Sequence, residues 1–101
     1  MSMTISIQFV KMPSSEALTA YATKKIQKLG DRYDWIISAD VFFKIDKNDS
    51  RIAKICEIEL SAPGPRIFAS ASEKNFEMAV KETVSELGKQ LKKRKAIMTH
   101  R

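Results

Sequence analysis

The sequence predicts an α+β fold: two layers, with a four-stranded mixed sheet carrying both helices on one face, in the order β-α-β-β-β-α. Three observations carry that expectation. Several stretches alternate apolar and polar residues with a period of two, as half-buried strands do. Two others repeat apolar residues every three or four positions, as amphipathic helices do. Clusters of Pro, Gly, Ser, Asp and Asn stand between them and mark the turns. At 101 residues the chain is expected to be one domain, residues 1–101, with one modest core.

The first element is Met3, Ile5, Ile7 and Phe9 alternating with Thr4, Ser6 and Gln8. This is a strand with one buried face, and Met1–Val10 lacks the charged start and apolar block of a signal peptide. Pro13-Ser14-Ser15 breaks it. Ser15 suits a helix N-cap, because its hydroxyl can accept from an orphan amide of the first turn, and Glu16 suits the positive end of the helix dipole. Leu18, Ala22, Ile26 and Leu29 then recur at helical spacing, and Gly30 is expected to stop the helix. Lys24, Lys25 and Lys28 fall towards one flank of it.

After a polar connection, Ile37, Ala39, Val41, Phe43 and Ile45 alternate as the inward side of a long second strand. Asp46-Lys47-Asn48-Asp49-Ser50 reads as a hairpin turn. Cys56, Ile58, Leu60 and Ala62 face inward on the return strand, with Glu57, Glu59 and Ser61 outward. Pro63-Gly64-Pro65 forces a second turn, in which Gly64 can take positive φ. Ile67, Ala69 and Ala71 face inward on the fourth strand. Ser72 is the expected cap of the last helix, with Glu73 in its first turn. Phe76, Val80, Val84, Leu87 and Leu91 form its apolar stripe. The first crossover makes strands one and two parallel, and the hairpins make the others antiparallel. Trp35 reads as a plug at the core edge, Cys56 as a small buried hydrophobe and His100 as inert.

Charge is distributed unevenly. The net charge is +6, yet residues 1–88 hold as many acids as bases. The excess comes from Lys89, Lys92, Lys93, Arg94, Lys95 and Arg101, so the basic C-terminal end, residues 89–101, carries all of it. The apolar stripe of the last helix runs straight into this cluster, which mounts the charge on an ordered element. A polyanion is the natural partner. No apolar run approaches the ~20 residues that span a bilayer, so no membrane association is expected. A single cysteine excludes an internal disulfide. With only His100 and Cys56, the chain has fewer His and Cys than most catalytic or metal-binding schemes need. No enzyme activity, catalytic residue, cofactor, metal or small-molecule substrate is expected; Glu57 and Glu59 share a strand face, but among charges rather than in an apolar site.

Several strings together, in this order and spacing, resemble the bacterial ribosome hibernation-promoting factor and ribosome-associated inhibitor family, short form. They are Ser15-Glu16-Ala17-Leu18 followed by Tyr21 and by Lys25-Ile26-Gln27-Lys28-Leu29, then Ala39 to Lys47, then Ala62 to Ala71, and finally Leu87 to Lys95. The resemblance covers nearly the whole chain. It implies a fold like that of a double-stranded-RNA-binding domain, a cytoplasmic location, and a site on the small ribosomal subunit, in the channel that messenger and transfer RNA use. Members occupy that channel in stationary phase or stress and keep the ribosome idle. Long members continue into a second domain that pairs ribosomes, and residues 1–101 match only the first. The RNA-binding positions it implies are Lys25 and Lys28 on the first helix and Lys89, Lys92, Lys93, Arg94 and Lys95 on the last, Arg94 standing where many members have histidine. The chain departs from the family at Pro65, where a second glycine is usual, and at Glu77, where tyrosine is frequent. Gly88 weakens the last helix by roughly 1 kcal/mol relative to Ala.

A different class of function stays open at this point. Phe42 and Phe68 fall on the polar parity of their strands, which predicts aromatics on the open sheet face. A protein-interaction module would use that face, with these two as anchors, and would need no nucleic acid.

Overall fold

The computed structural model describes residues 3–48 and 51–99. The elements follow in the order β1 (Thr4–Phe9), α1 (Glu16–Arg32), β2 (Ser38–Asn48), β3 (Arg51–Ser61), β4 (Ile67–Glu73) and α2 (Phe76–Thr99). This is the α+β arrangement expected from the sequence. The strands lie in the order β1-β2-β3-β4, with β1 parallel to β2 and the remaining pairs antiparallel. Ile7 stands beside Val41, Val41 beside Ile58, and Ile58 beside Ala69, so one apolar row crosses the whole sheet. The helices supply Leu18, Ala22, Ile26 and Leu29 from α1 and Ala79, Val80, Leu87 and Leu91 from α2 to the same core. Both therefore cover one sheet face, and the other face is open.

The start of α1 follows its local chemistry. Ser15 is extended, its Oγ accepts from the amide of Leu18 at 3.1 Å, and the Thr19 hydroxyl donates back to the Ser15 carbonyl at 2.9 Å. The end does not stop at Gly30. The helix continues to Arg32, and the amide of Tyr33 closes it on the Leu29 carbonyl at 2.8 Å. Gly30 serves space instead: a Cβ there would lie 2.5 Å from the Met3 methyl, which packs against the helix.

Four further expectations are corrected. Ser72 does not cap α2. β3 is eleven residues long, so β4 goes on pairing with it, Ser72 beside Ile55 and Glu73 beside Lys54. The cap is Asn75, whose Oδ1 accepts from the amide of Met78 at 2.8 Å, and Glu77 is the acid of the first turn. Ile37 does not face inward. It precedes β2 at the end of the sheet and is 60% exposed, while its neighbour Ile36 takes the buried place. Ile45 has the inward parity but lies where the β2–β3 hairpin outruns the helices, and it is exposed too. That hairpin also absorbs Asp46, Lys47 and Asn48 into β2, so the turn is shorter than composition indicated. Asp49 and Ser50 lie outside the described residues, as does His100.

Trp35 is a core-edge plug as expected, half-buried with its ring edge-on to Tyr33 at 5.8 Å. Cys56 is fully buried. Gly64 takes φ +97°, the left-handed value that the Pro-Gly-Pro turn demands of it.

Candidate nucleic-acid interface

The two helices lie side by side and run in the same direction. Gly88 of α2 comes close to Leu29 of α1, where an added Cβ would stand 4.0 Å from Leu29 Cδ2, and further along Lys95 reaches Tyr33. Their C-terminal ends therefore lie at the same end of the sheet. That end gathers the cations. Arg32 closes α1 with its guanidinium 5.9 Å from the centre of the Tyr33 ring, and the Lys95 ammonium sits 5.9 Å from the same ring. Tyr33 is buried and acts as the joint between the two basic segments. A cation over an aromatic face is attracted by the ring quadrupole, which holds each side chain in place without neutralising it. The negative end of the α1 dipole favours Arg32, the basic residue of its last turn.

Along α1, Tyr21, Lys25, Lys28 and Arg32 repeat at four, three and four, which is one stripe. Lys25 is half-buried with its ammonium 5.4 Å from the Tyr21 ring, and Lys28 is exposed. On α2, Lys89, Lys92, Lys93 and Lys95 are exposed, on a helix that stays regular through them. Arg94 is different. Its Nη1 donates to the carbonyls of Pro65 at 2.6 Å and Pro63 at 3.1 Å, so this guanidinium is engaged by the turn. Arg32 and Tyr33 were not singled out from the sequence. For Arg32 the signal was present, seven residues after Lys25 on one stripe; for Tyr33 nothing local reveals that two helix ends meet on it.

The open sheet face has another character. Glu57 pairs with Lys44 at 2.9 Å and Glu59 with Arg66 at 3.2 Å, so each glutamate already faces a cation. Phe68 is 52% exposed, whereas Phe42 is half-buried. Phe42 stands beside Glu57 and Phe68 beside Glu59, with β3 between the two rings. They form no joint aromatic platform. Burial raises the Cys56 thiol to about 11, with the Thr83 hydroxyl partly offsetting it and the charge of Glu57 adding to it. A thiol held protonated is neither nucleophile nor metal ligand. Among the described residues, no group of three or more His, Cys, Asp or Glu side chains could hold a metal ion, and no helix is long and apolar enough to cross a membrane.

Known proteins share this architecture. The ribosome hibernation promoting factor of Pseudomonas putida is 27% identical over 95 residues, which cover 94% of this chain and 87% of that protein. A ribosomal subunit interface protein from Coxiella burnetii superposes with a TM-score of 0.83 at 28% identity, covering 93% of this chain and 99% of the other. The N-terminal domain of Protein Y from Thermus thermophilus has the same fold, with a TM-score of 0.75 at 20% identity over 92% of this chain and 98% of that domain. The family described as sigma 54 modulation protein / S30EA ribosomal protein matches residues 5–99. With its sheet, its paired helices and nearly its whole length accounted for in this way, the chain belongs to the sigma 54 modulation protein / S30EA ribosomal protein family.

Proposed function

We propose that this chain is a bacterial, cytoplasmic ribosome hibernation factor. Residues 1–101 act as one ribosome-binding domain that docks on ribosomal RNA of the small subunit, in the channel used by messenger and transfer RNA. The observation that carries the reading is the convergence of Arg32 from α1 and Lys95 from α2 on Tyr33, with Lys28, Lys89, Lys92 and Lys93 exposed around it. The names of the hibernation factor and the subunit interface protein to which the chain is similar support the ribosome as the partner.

The mechanism is electrostatic docking followed by steric exclusion. Each Lys or Arg that neutralises a phosphate releases condensed counterions, which supplies affinity without reading bases. Lysines are hydrated point charges with little sequence preference, so selectivity must come from the shape that carries them. Here that shape is a pair of parallel helices pinned to a sheet, which suits a fixed RNA cleft, as shape-selective recognition of double-stranded RNA does. No bond is made or broken; the occupied channel excludes substrates.

Sedimentation tests this directly. Purified protein mixed with separated small and large subunits at low salt is expected to travel with the small subunit in a sucrose gradient, and to stay at the top at high salt. Travel with the large subunit alone, or affinity unchanged by salt, would overturn the proposal.

A further inference from the structure

We propose that Arg94 is a positioning residue, which clamps the end of α2 to the Pro63-Gly64-Pro65 turn and so fixes the lysines around it as a rigid array for phosphate binding. The inference rests on the polyanion-docking reading above and adds a residue whose task there is not contact.

Between residues 76 and 98 of α2, Leu91 is the last buried one. Of residues 92–98, Arg94 alone is less than exposed. A helix end without apolar anchorage frays, because its final hydrogen bonds do not offset the backbone entropy they cost. The Arg94 guanidinium supplies an anchor of another kind. Its Nη1 reaches two carbonyls of one turn, Pro65 at 2.6 Å and Pro63 at 3.1 Å. One helical turn earlier, Gln90 Nε2 donates to the Phe68 carbonyl at 2.9 Å. The two side chains are four residues apart on one helix face, and both grip the backbone of β4 and the turn that leads into it.

The seat is shaped for arginine. A Cβ on residue 64 would stand 3.3 Å from Arg94 Nη1 and 3.6 Å from Cζ, so the guanidinium lies against the bare side of Gly64, where a side chain would crowd it. The φ of +97° at Gly64 turns that bare side towards the helix. Both bonds leave the one Nη1, whose two N–H directions are fixed in the guanidinium plane, whereas a lysine ammonium at the end of a flexible stem does not hold one geometry. Successive residues of a helix point about 100° apart. Once Arg94 fixes the rotation of this segment, the directions of Lys92, Lys93 and Lys95 are fixed with it. Lysines presented in order need not be ordered at the moment of binding, and ordering even one residue's backbone costs about tenfold in affinity.

The test separates a clamp from a phosphate contact. Gly64→Val keeps every charge and takes the seat away, both because its side chain crowds the guanidinium and because a β-branched residue strains the turn at φ +97°; Arg94→Lys keeps the charge and removes the planar guanidinium. Amide hydrogen exchange of residues 92–98 is measured for each without RNA, and dissociation constants for small subunits are measured at several salt concentrations. Both variants are expected to exchange at least tenfold faster at 92–98 while Val80–Leu91 stays protected, and to bind about tenfold more weakly. Wild-type exchange at 92–98 in both variants would overturn the clamp. So would wild-type affinity in Gly64→Val beside weakened binding in Arg94→Gln, since that pattern marks a direct phosphate contact. If the unaltered protein ignores subunits, the docking reading fails, and the exchange data decide the clamp alone.

Discussion

The hydroxyl of Thr83 is fully buried between α2 and the sheet, 2.7 Å from the carbonyl of Ala79 and 3.3 Å from that of Cys56. It is a polar contact at the centre of an otherwise apolar helix–sheet seam. Its single proton serves chiefly the closer acceptor, one turn back on its own helix, and leans towards β3. The Ala79 carbonyl retains its ordinary helical partner if the hydroxyl is removed. Thr83→Val, which keeps the shape, is therefore expected to cost only about 1 kcal/mol in urea unfolding. Thr83→Asp places a carboxylate in a fully buried position beside two carbonyl oxygens and should leave little folded protein.

Cys56 gives the protein an alkaline sensitivity. Its thiol is raised from 9.0 to about 11, so between those values the unfolded chain releases a proton that the folded chain keeps. The native state then binds more protons, and stability falls as pH rises, by about 1 kcal/mol for each pH unit in that window. The contribution is fully present below the window. Urea midpoints measured from neutral pH to pH 11 should show the extra slope in the unaltered protein and not in Cys56→Ala. A thiol reagent at neutral pH should label the unfolded chain and leave the native one nearly untouched.

Gly88→Ala should stabilise the fold. Gly88 is within α2, where Ala is favoured by about 1 kcal/mol, and an added Cβ meets Leu29 at an ordinary packing distance of 4.0 Å. A gain of about 1 kcal/mol in a denaturant titration, with small-subunit binding unchanged, is the expected outcome. A decrease would mean that the α1–α2 seam has no room for a methyl group.

The joint substitution of Lys92, Lys93 and Lys95 by Gln should remove small-subunit binding at moderate salt while lowering the unfolding free energy in urea by no more than about 1 kcal/mol, the scale of the Lys95–Tyr33 contact that is lost. Where binding remains measurable at low salt, the slope of log affinity against log salt should fall by about 0.7–0.9 for each phosphate that is no longer neutralised. An unchanged slope would exclude these lysines from the interface.

Phe68→Ser tests the opposite face. Phe68 is more than half exposed and stands apart from Phe42, so its removal should change stability little and leave small-subunit binding intact. A several-fold weakening of binding would favour the open sheet face as the interface and the protein-interaction reading with it.

Much of the fold was legible because local chemistry and burial agree. The parity of Cys56, Ile58 and Leu60, the capping hydroxyl of Ser15 and the positive φ of Gly64 are each set by neighbours in sequence, and the structure keeps them. Expectations failed where a distant segment outweighed a local preference. Glycine favours a helix end, yet Gly30 lies within α1, where the absence of a side chain makes room for Met3 from the segment that leads into β1. Serine favours a cap, yet Ser72 stays in β4 because β3 extends far enough to pair with it. Ile37 and Ile45 have the right alternation but lie beyond the ground the helices cover.

The site divides along the same line. The amino-acid order alone determined that the net charge gathers after residue 88 and that an amphipathic helix runs into it, because both are properties of consecutive residues. Only the tertiary structure decided that Arg32 and Lys95 meet on Tyr33, and that Arg94 turns away from its neighbours to grip the Pro63-Gly64-Pro65 turn. The physical reason is that a cation's role depends on the nearest acceptor or ring. Pro63 is 31 residues from Arg94 along the chain, and Tyr33 is further still from Lys95; both come close only when the two helices pack on one sheet.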